Sequence, residues 1–96
     1  MLGGRVALVT GGSRGLGRVD ALALSEAGAD VVIADIAMEG AEKTSQEIRA
    51  RGRRSFAIQM DVTKKDQVEE GTARIKKELG SVDILVNSAA TYEFEP

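Results

Sequence analysis

The segment Thr10-Gly11-Gly12-Ser13-Arg14-Gly15-Leu16-Gly17 limits what this chain can fold into more than any other. It joins the apolar run Val6-Ala7-Leu8-Val9 to a stretch with helical spacing. A strand that breaks into glycines and resumes as a helix aims backbone N–H groups, and the positive end of the helix dipole, at whatever lies in front. Glycine lets the main chain approach a phosphate that a Cβ would hold away. The segment predicts a strand–loop–helix unit built around an anionic ligand.

The same alternation continues down the chain. Residues 6–9, 31–34, 56–60 and 84–86 are short and almost unbroken in apolarity, as expected of strands covered on both faces and therefore parallel. Between them lie three stretches with helical spacing. The first runs from about Gly15 to Ala27, with Leu16, Val19, Ala23 and Ala27 on the face expected to turn inward. The second, from about Met38 to Arg51, places Ala41, Thr44 and Ile48 inward and Glu39–Lys43 and Glu47–Arg51 on its outer face at i,i+4. The third opens at Thr63, with Asp66 three residues on in the manner of a capping box. It turns Val68, Thr72, Ile75 and Leu79 inward and stops at Gly80. The order βαβαβαβ with right-handed crossovers predicts an α/β, doubly wound three-layer fold with a parallel sheet in the order 3-2-1-4. Helices one and two cover one face and helix three the other. Ligand is expected at the carboxyl ends of the strands, near the switch point between strands 1 and 4.

Composition excludes several classes of function. The 96 residues contain 43% hydrophobic and 29% charged residues and carry a net charge of −2, so no overall field draws in nucleic acid or an anionic membrane. Arg49, Arg51, Arg53 and Arg54 cluster. With acids around them and no aromatics interleaved, they read as the solvated end of a helix and its loop. Cysteine and histidine are absent, which removes disulfides and the usual zinc ligands, and no metal site is expected. No apolar run approaches the ~20 residues that span a bilayer, and no secretory signal pattern opens the chain, so the expected location is the cytoplasm.

Three further features sit where a dinucleotide site needs them. Asp35 closes the second strand, where a carboxylate can accept from both ribose hydroxyls and would repel a 2′-phosphate. Asp61-Val62 closes the third, offering an acid for an adenine edge and an apolar neighbour for its face. Asn87-Ser88-Ala89-Ala90 closes the fourth with small residues. All four strand ends are expected to meet in one crevice.

With these residues in view, the chain resembles the short-chain dehydrogenase/reductase family over essentially its whole length. The glycine segment matches that family's T-G-x-x-x-G-x-G fingerprint, Asp61-Val62 its adenine-binding acid, and Asn87-Ser88-Ala89-Ala90 its N-N-A-G motif. The resemblance implies a partial Rossmann fold and a dinucleotide cofactor. Gly11, Gly15 and Gly17 would admit the diphosphate, while Ser13, Arg14 and Leu16 line its path. Asp35, with Ile36 beside it, would take the adenosine ribose, Asp61 and Val62 the adenine, and Asn87 with Ala89 the nicotinamide-side ribose. Asp35 favours NAD over NADP, although a basic residue such as Arg14 in that loop also suits NADP-users.

The sequence departs from the family at several positions. Ser88 and Ala90 replace the second Asn and the Gly of N-N-A-G. Asp20 falls in the stripe of Leu16, Ala23 and Ala27, where relatives are apolar. Either the helix turns enough for Asp20 to reach water, or its carboxylate meets a cation or a partner, or its pKa is raised. The family's catalytic Tyr-x-x-x-Lys and Ser lie beyond the fourth strand. Tyr92 cannot stand in for them because position 96 is Pro, and no residue here is assigned a catalytic role. Tyr92, Phe94 and Glu95 look like the start of a substrate-covering loop.

The expectation is therefore that residues 1–96 form the cofactor-binding half of an alcohol/ketone oxidoreductase, truncated before its catalytic segment and binding NAD weakly without turnover. The fourth strand, Ile84-Leu85-Val86, would then be an adhesive edge along which copies self-associate. A non-catalytic nucleotide-binding or dimerisation module on the same scaffold is the alternative. A flavodoxin-like or response-regulator domain shares the βαβ order but leaves Gly15-Leu16-Gly17 unexplained.

Overall fold

A computed structural model describes residues 1–88 of the protein. Four strands and three helices alternate as β1 (Val6–Thr10), α1 (Gly15–Glu26), β2 (Asp30–Asp35), α2 (Met38–Ala50), β3 (Ser55–Gln59), α3 (Lys65–Glu78) and β4 (Ile84–Asn87). The strands form one parallel sheet in the order β3-β2-β1-β4, as the alternation predicts. In the register of the central pair, Val9 lies beside Ile33 and Thr10 beside Ala34. β2 therefore runs one residue, Asp35, past the tip of β1.

The sheet has a core on each face because its middle strands are apolar on both. Ala7, Val9, Val31 and Ile33 pack under α1 and α2, which contribute Ala21, Ala41 and Ile48. Val6, Leu8, Val32, Ala34, Ile58 and Met60 pack on the other side against Ile75 of α3. Removing a side chain such as Ile33 from water contributes about 1.5–3 kcal/mol. The face of α2 is the expected one, with Ala41, Thr44 and Ile48 buried and Ser45 beside them.

α1 is rotated from expectation. Its buried residues are Gly17, Ala21 and Ser25, whereas Leu16 is 74% exposed, Val19 is 56% exposed and Ala23 is exposed. The cause is steric. A Cβ on Gly17 would run into the carbonyl of Gly11, so the helix can lie this close to the loop only with Gly17 facing it. Small residues one and two turns on then follow the sheet. The outward turn brings Asp20 to a half-exposed position, as expected where the helix rotates far enough for its carboxylate to reach water.

Two local expectations also give way. α3 begins at Lys65 with no side-chain cap, because the Thr63 hydroxyl donates to Asp61 Oδ1 at 2.6 Å and no capping box forms with Asp66. Among the described residues the expected i,i+4 pairs of α2 do not form: Arg49 pairs with Glu42 along the helix at 2.7 Å, while Glu47 and Arg51 reach across to α1. Arg18 Nε of α1 donates to Glu47 Oε1 at 3.1 Å, and Arg51 pairs with Glu26 at 2.9 Å, so these pairs tie α1 to α2. At this exposure each contributes about 0.2–1 kcal/mol.

Candidate functional site

A cleft of about 470 Å³ opens at the carboxyl ends of β1, β2 and β3. Its lining includes Gly11, Ser13, Arg14, Asp35, Ile36, Asp61 and Val62, seven of the twelve residues expected to hold a cofactor. Ala34, Ala37, Gly40, Met60 and Thr63 complete it. Two signals in the sequence bear on these additions. Gly40 is a glycine in the first turn of α2, where a Cβ would come within 2.7 Å of the Ser13 Cβ. Thr63 follows Asp61-Val62 at the spacing of an Asx turn.

The loop after β1 is held on three sides. Gly11, at φ +75°, turns the chain out of the strand, and its N–H donates to the Ala34 carbonyl at 2.8 Å, extending the ladder by one bond. A Cβ on Gly12 would meet Ile33 Cγ2 at 2.8 Å. The Gly12 carbonyl accepts from the buried Thr44 hydroxyl at 3.0 Å, which pins the loop to α2. These contacts leave the loop little freedom and direct it across the tip of β2.

At that tip, Asp35 joins loop and strand. Its Oδ2 accepts the Ser13 N–H at 3.2 Å and its Oδ1 accepts the Ala37 N–H at 2.9 Å. A carboxylate has about four acceptor sites, so each oxygen keeps capacity for a hydroxyl donor. The Ser13 and Gly11 amides are engaged within the protein, whereas the amides at the start of α1 are available to an anion. That end is open. Arg14 at the N-cap makes no side-chain capping bond, and the first turn carries no acid. The first N–H groups of a helix have no intrahelical acceptor and point along its axis with the positive end of the dipole. Gly17 is buried against Gly11, so its missing Cβ serves the contact between loop and helix.

The second acid of the cleft sits after β3. Asp61 Oδ1 accepts both the hydroxyl and the N–H of Thr63, at 2.6 and 2.9 Å. The Thr63 hydroxyl bond, then the N–H bond and the Lys64 charge, hold its carboxyl below the ordinary value of 3.8 against a small opposing effect of burial. Arg14 is the sole cationic side chain in the lining, set among the two carboxylates.

The tip of β4 stays outside this cleft, which corrects the expectation of four converging strand ends. Asn87 Oδ1 accepts the Thr10 hydroxyl at 2.8 Å, and Asn87 is not in the lining. Gly15, Leu16 and Gly17 flank the cleft from α1 without lining it. Ala89, Ala90, Tyr92, Phe94 and Glu95 lie outside the described residues. No helix among the described residues is long and apolar enough to cross a membrane.

Comparison with known proteins places this geometry in a wide set of relatives. The family model described as short chain dehydrogenase matches residues 5–96. The chain is 43% identical to sorbitol dehydrogenase of Cereibacter sphaeroides over 95 residues, which cover 99% of this chain and 36% of that protein. It is 48% identical to the 3-oxoacyl-[acyl-carrier-protein] reductase FabG of Staphylococcus epidermidis over 84 residues, covering 86% of this chain and 34% of that one. Among solved structures, a hydroxysteroid dehydrogenase from Escherichia coli superimposes with a TM-score of 0.85 at 36% identity, over 90% of this chain and 37% of that chain. The chain thus spans about a third of the length of the relatives it matches.

Proposed function

This chain belongs to the short-chain dehydrogenase family, and on that premise we propose that it is the NAD(H)-binding part of an oxidoreductase interconverting an alcohol and a ketone. The observation that carries the proposal is the bond from the Ser13 N–H to Asp35 Oδ2, which unites the glycine loop and the β2 acid at one cleft. The residues present suit a dinucleotide. The open start of α1 suits the diphosphate, the spare acceptor capacity of Asp35 suits a ribose diol, and Ile36 and Val62 offer apolar surface to a base. A bound nicotinamide would supply the hydride chemistry. The protein's part is to fix the cofactor's adenosine and diphosphate, so that its far end projects past β1 toward Asn87.

Asp35 carries the preference for NAD. A 2′-phosphate would bring negative charge against a carboxylate already fixed by two backbone N–H groups, and Arg14 offsets that only in part. Calorimetric titration tests both claims. The expected result is NAD binding at least about tenfold tighter than NADP, a gap of about 1.4 kcal/mol. Asp35→Ala should weaken NAD and narrow the gap. No heat of binding with either dinucleotide would overturn the proposal.

A second reading, an association module, is favoured by one observation. β4 lies at the sheet edge among the described strands, and its Leu85 is 63% exposed. Under that reading two copies pair along β4 and bury Leu85. Sedimentation of the chain and of Leu85→Lys separates the cases. A dimer that the substitution dissociates supports the reading, and a concentration-independent monomer ends it.

A further inference from the structure

Asp61 is held by two residues, one through its carboxylate and one through its main chain. Its Oδ1 takes two bonds from Thr63, and its own N–H donates to Gln67 Oε1, in the first turn of α3, at 2.8 Å. Oδ2 has no hydrogen-bond partner among the described residues, and Asp61, Val62 and Thr63 all line the cleft. Both holding residues are exposed, so neither bond is forced by packing of the core.

We propose that Thr63 and Gln67 are positioning residues: they fix Asp61 so that its free Oδ2 selects a nucleotide base bearing an exocyclic amine over one bearing a carbonyl at that position. The inference rests on the cleft being a nucleotide site. Its chemistry is that of a carboxylate, which only accepts. An amine opposite Oδ2 donates to it, whereas a carbonyl oxygen sets two acceptors against each other and leaves both without a partner. Discrimination of this kind needs a fixed acceptor, since a carboxylate free to rotate can swing away from a mismatched base. Thr63 removes that freedom by occupying Oδ1 from two directions. Gln67 fixes the main chain from which Asp61 projects. An aspartate is ionised near neutral pH, and the Thr63 bonds lower its carboxyl further below the ordinary 3.8, so Asp61 acts there only as an acceptor.

The probes are NAD and its hypoxanthine analogue, which replaces the adenine amine with a carbonyl. Wild type should prefer NAD. Thr63→Val, which removes the hydroxyl and retains the N–H, should cut that preference by about three- to tenfold, as expected for losing a charge-assisted hydrogen bond. Affinity for the analogue should change by less than about twofold. Thr63→Ser should restore the preference, and Gln67→Leu should lower it by a smaller factor. A purely structural role would weaken both ligands alike, and thermal unfolding of each variant checks that the fold persists. NAD binding with an unchanged preference in Thr63→Val, or with no preference in wild type, overturns the inference and leaves the proposed function standing. If wild type binds neither dinucleotide, the proposed function falls and takes the inference with it.

Discussion

β1 and β4 are neighbours in the sheet and are alike in sequence: Val6-Ala7-Leu8-Val9-Thr10 beside Ile84-Leu85-Val86-Asn87, with Leu8 registered against Leu85. Every residue of β1 is buried and Leu8 is 3% exposed, while β4 alternates between half-buried and exposed and Leu85 is 63% exposed. The difference does not come from the strands' own residues. β1 has a strand on each side and helices above and below, whereas β4 pairs on one side and receives only partial cover from α1. Full burial of a leucine contributes about 1.5–3 kcal/mol, and Leu85 realises little of it. Stability and binding geometry are therefore concentrated where β1, its loop and β2 meet, and the β4 margin contributes least.

Gly17→Ala offers the most damaging way to break this contrast. The added Cβ would collide with the Gly11 carbonyl, a backbone atom that cannot yield without lifting the loop off α1. The expected loss is about 3 kcal/mol or more in urea unfolding, with the cleft lost as well. A variant of wild-type stability would mean that the loop is not packed as tightly as the contrast requires.

A matched pair comes next in size. Ile33→Ala, in the fully buried centre, should cost about 2–5 kcal/mol, while Leu85→Ala should stay within about 0.5 kcal/mol. Equal costs for the two would show that something covers β4 in solution. In that event the comparison between strands fails, and the association reading gains.

Much of this layout was legible in the residues themselves. Strand identity followed from short apolar runs, and the order 3-2-1-4 followed from crossover handedness, because both depend on constraints every parallel sheet shares. The face of α2 was legible because Ala41, Thr44 and Ile48 form one stripe. α1 was not, because hydrophobicity nominates Leu16, Val19 and Ala23 while the Gly17–Gly11 contact turns the helix the other way. A backbone collision outweighs the exposure of a few methyl groups, and residue hydrophobicity does not register it. At Thr63 two local motifs compete for one hydroxyl, and the Asx turn to Asp61 wins over a cap on Asp66. In the cleft, the tips of β1, β2 and β3 were foreseen from their acids and glycines. Asn87, expected at the nicotinamide-side ribose, has its side chain engaged by the Thr10 hydroxyl at the tip of β1, a contact that residue spacing does not register.

The smallest effect lies at the opposite edge of the sheet and sharpens the contrast there. β3, like β4, has a strand on one side only, yet it runs into a turn braced by Thr63 and Gln67. Because the Asp61 carboxyl is held below its ordinary 3.8 in the folded protein, the unfolded chain binds more protons as pH passes through that value. Stability from this group is therefore present above about pH 4 and is lost as pH falls through the folded value. Thr63→Val removes the largest cause of the shift, so it should be less stable than wild type at neutral pH, and the gap should close as acid protonates Asp61 in both. Urea midpoints for the two proteins, taken between about pH 6 and pH 2, isolate the effect because their other carboxyl groups are shared. Midpoints that run parallel over that range would mean that the Thr63 hydroxyl does not hold the carboxylate, and that β3 ends as loosely as β4.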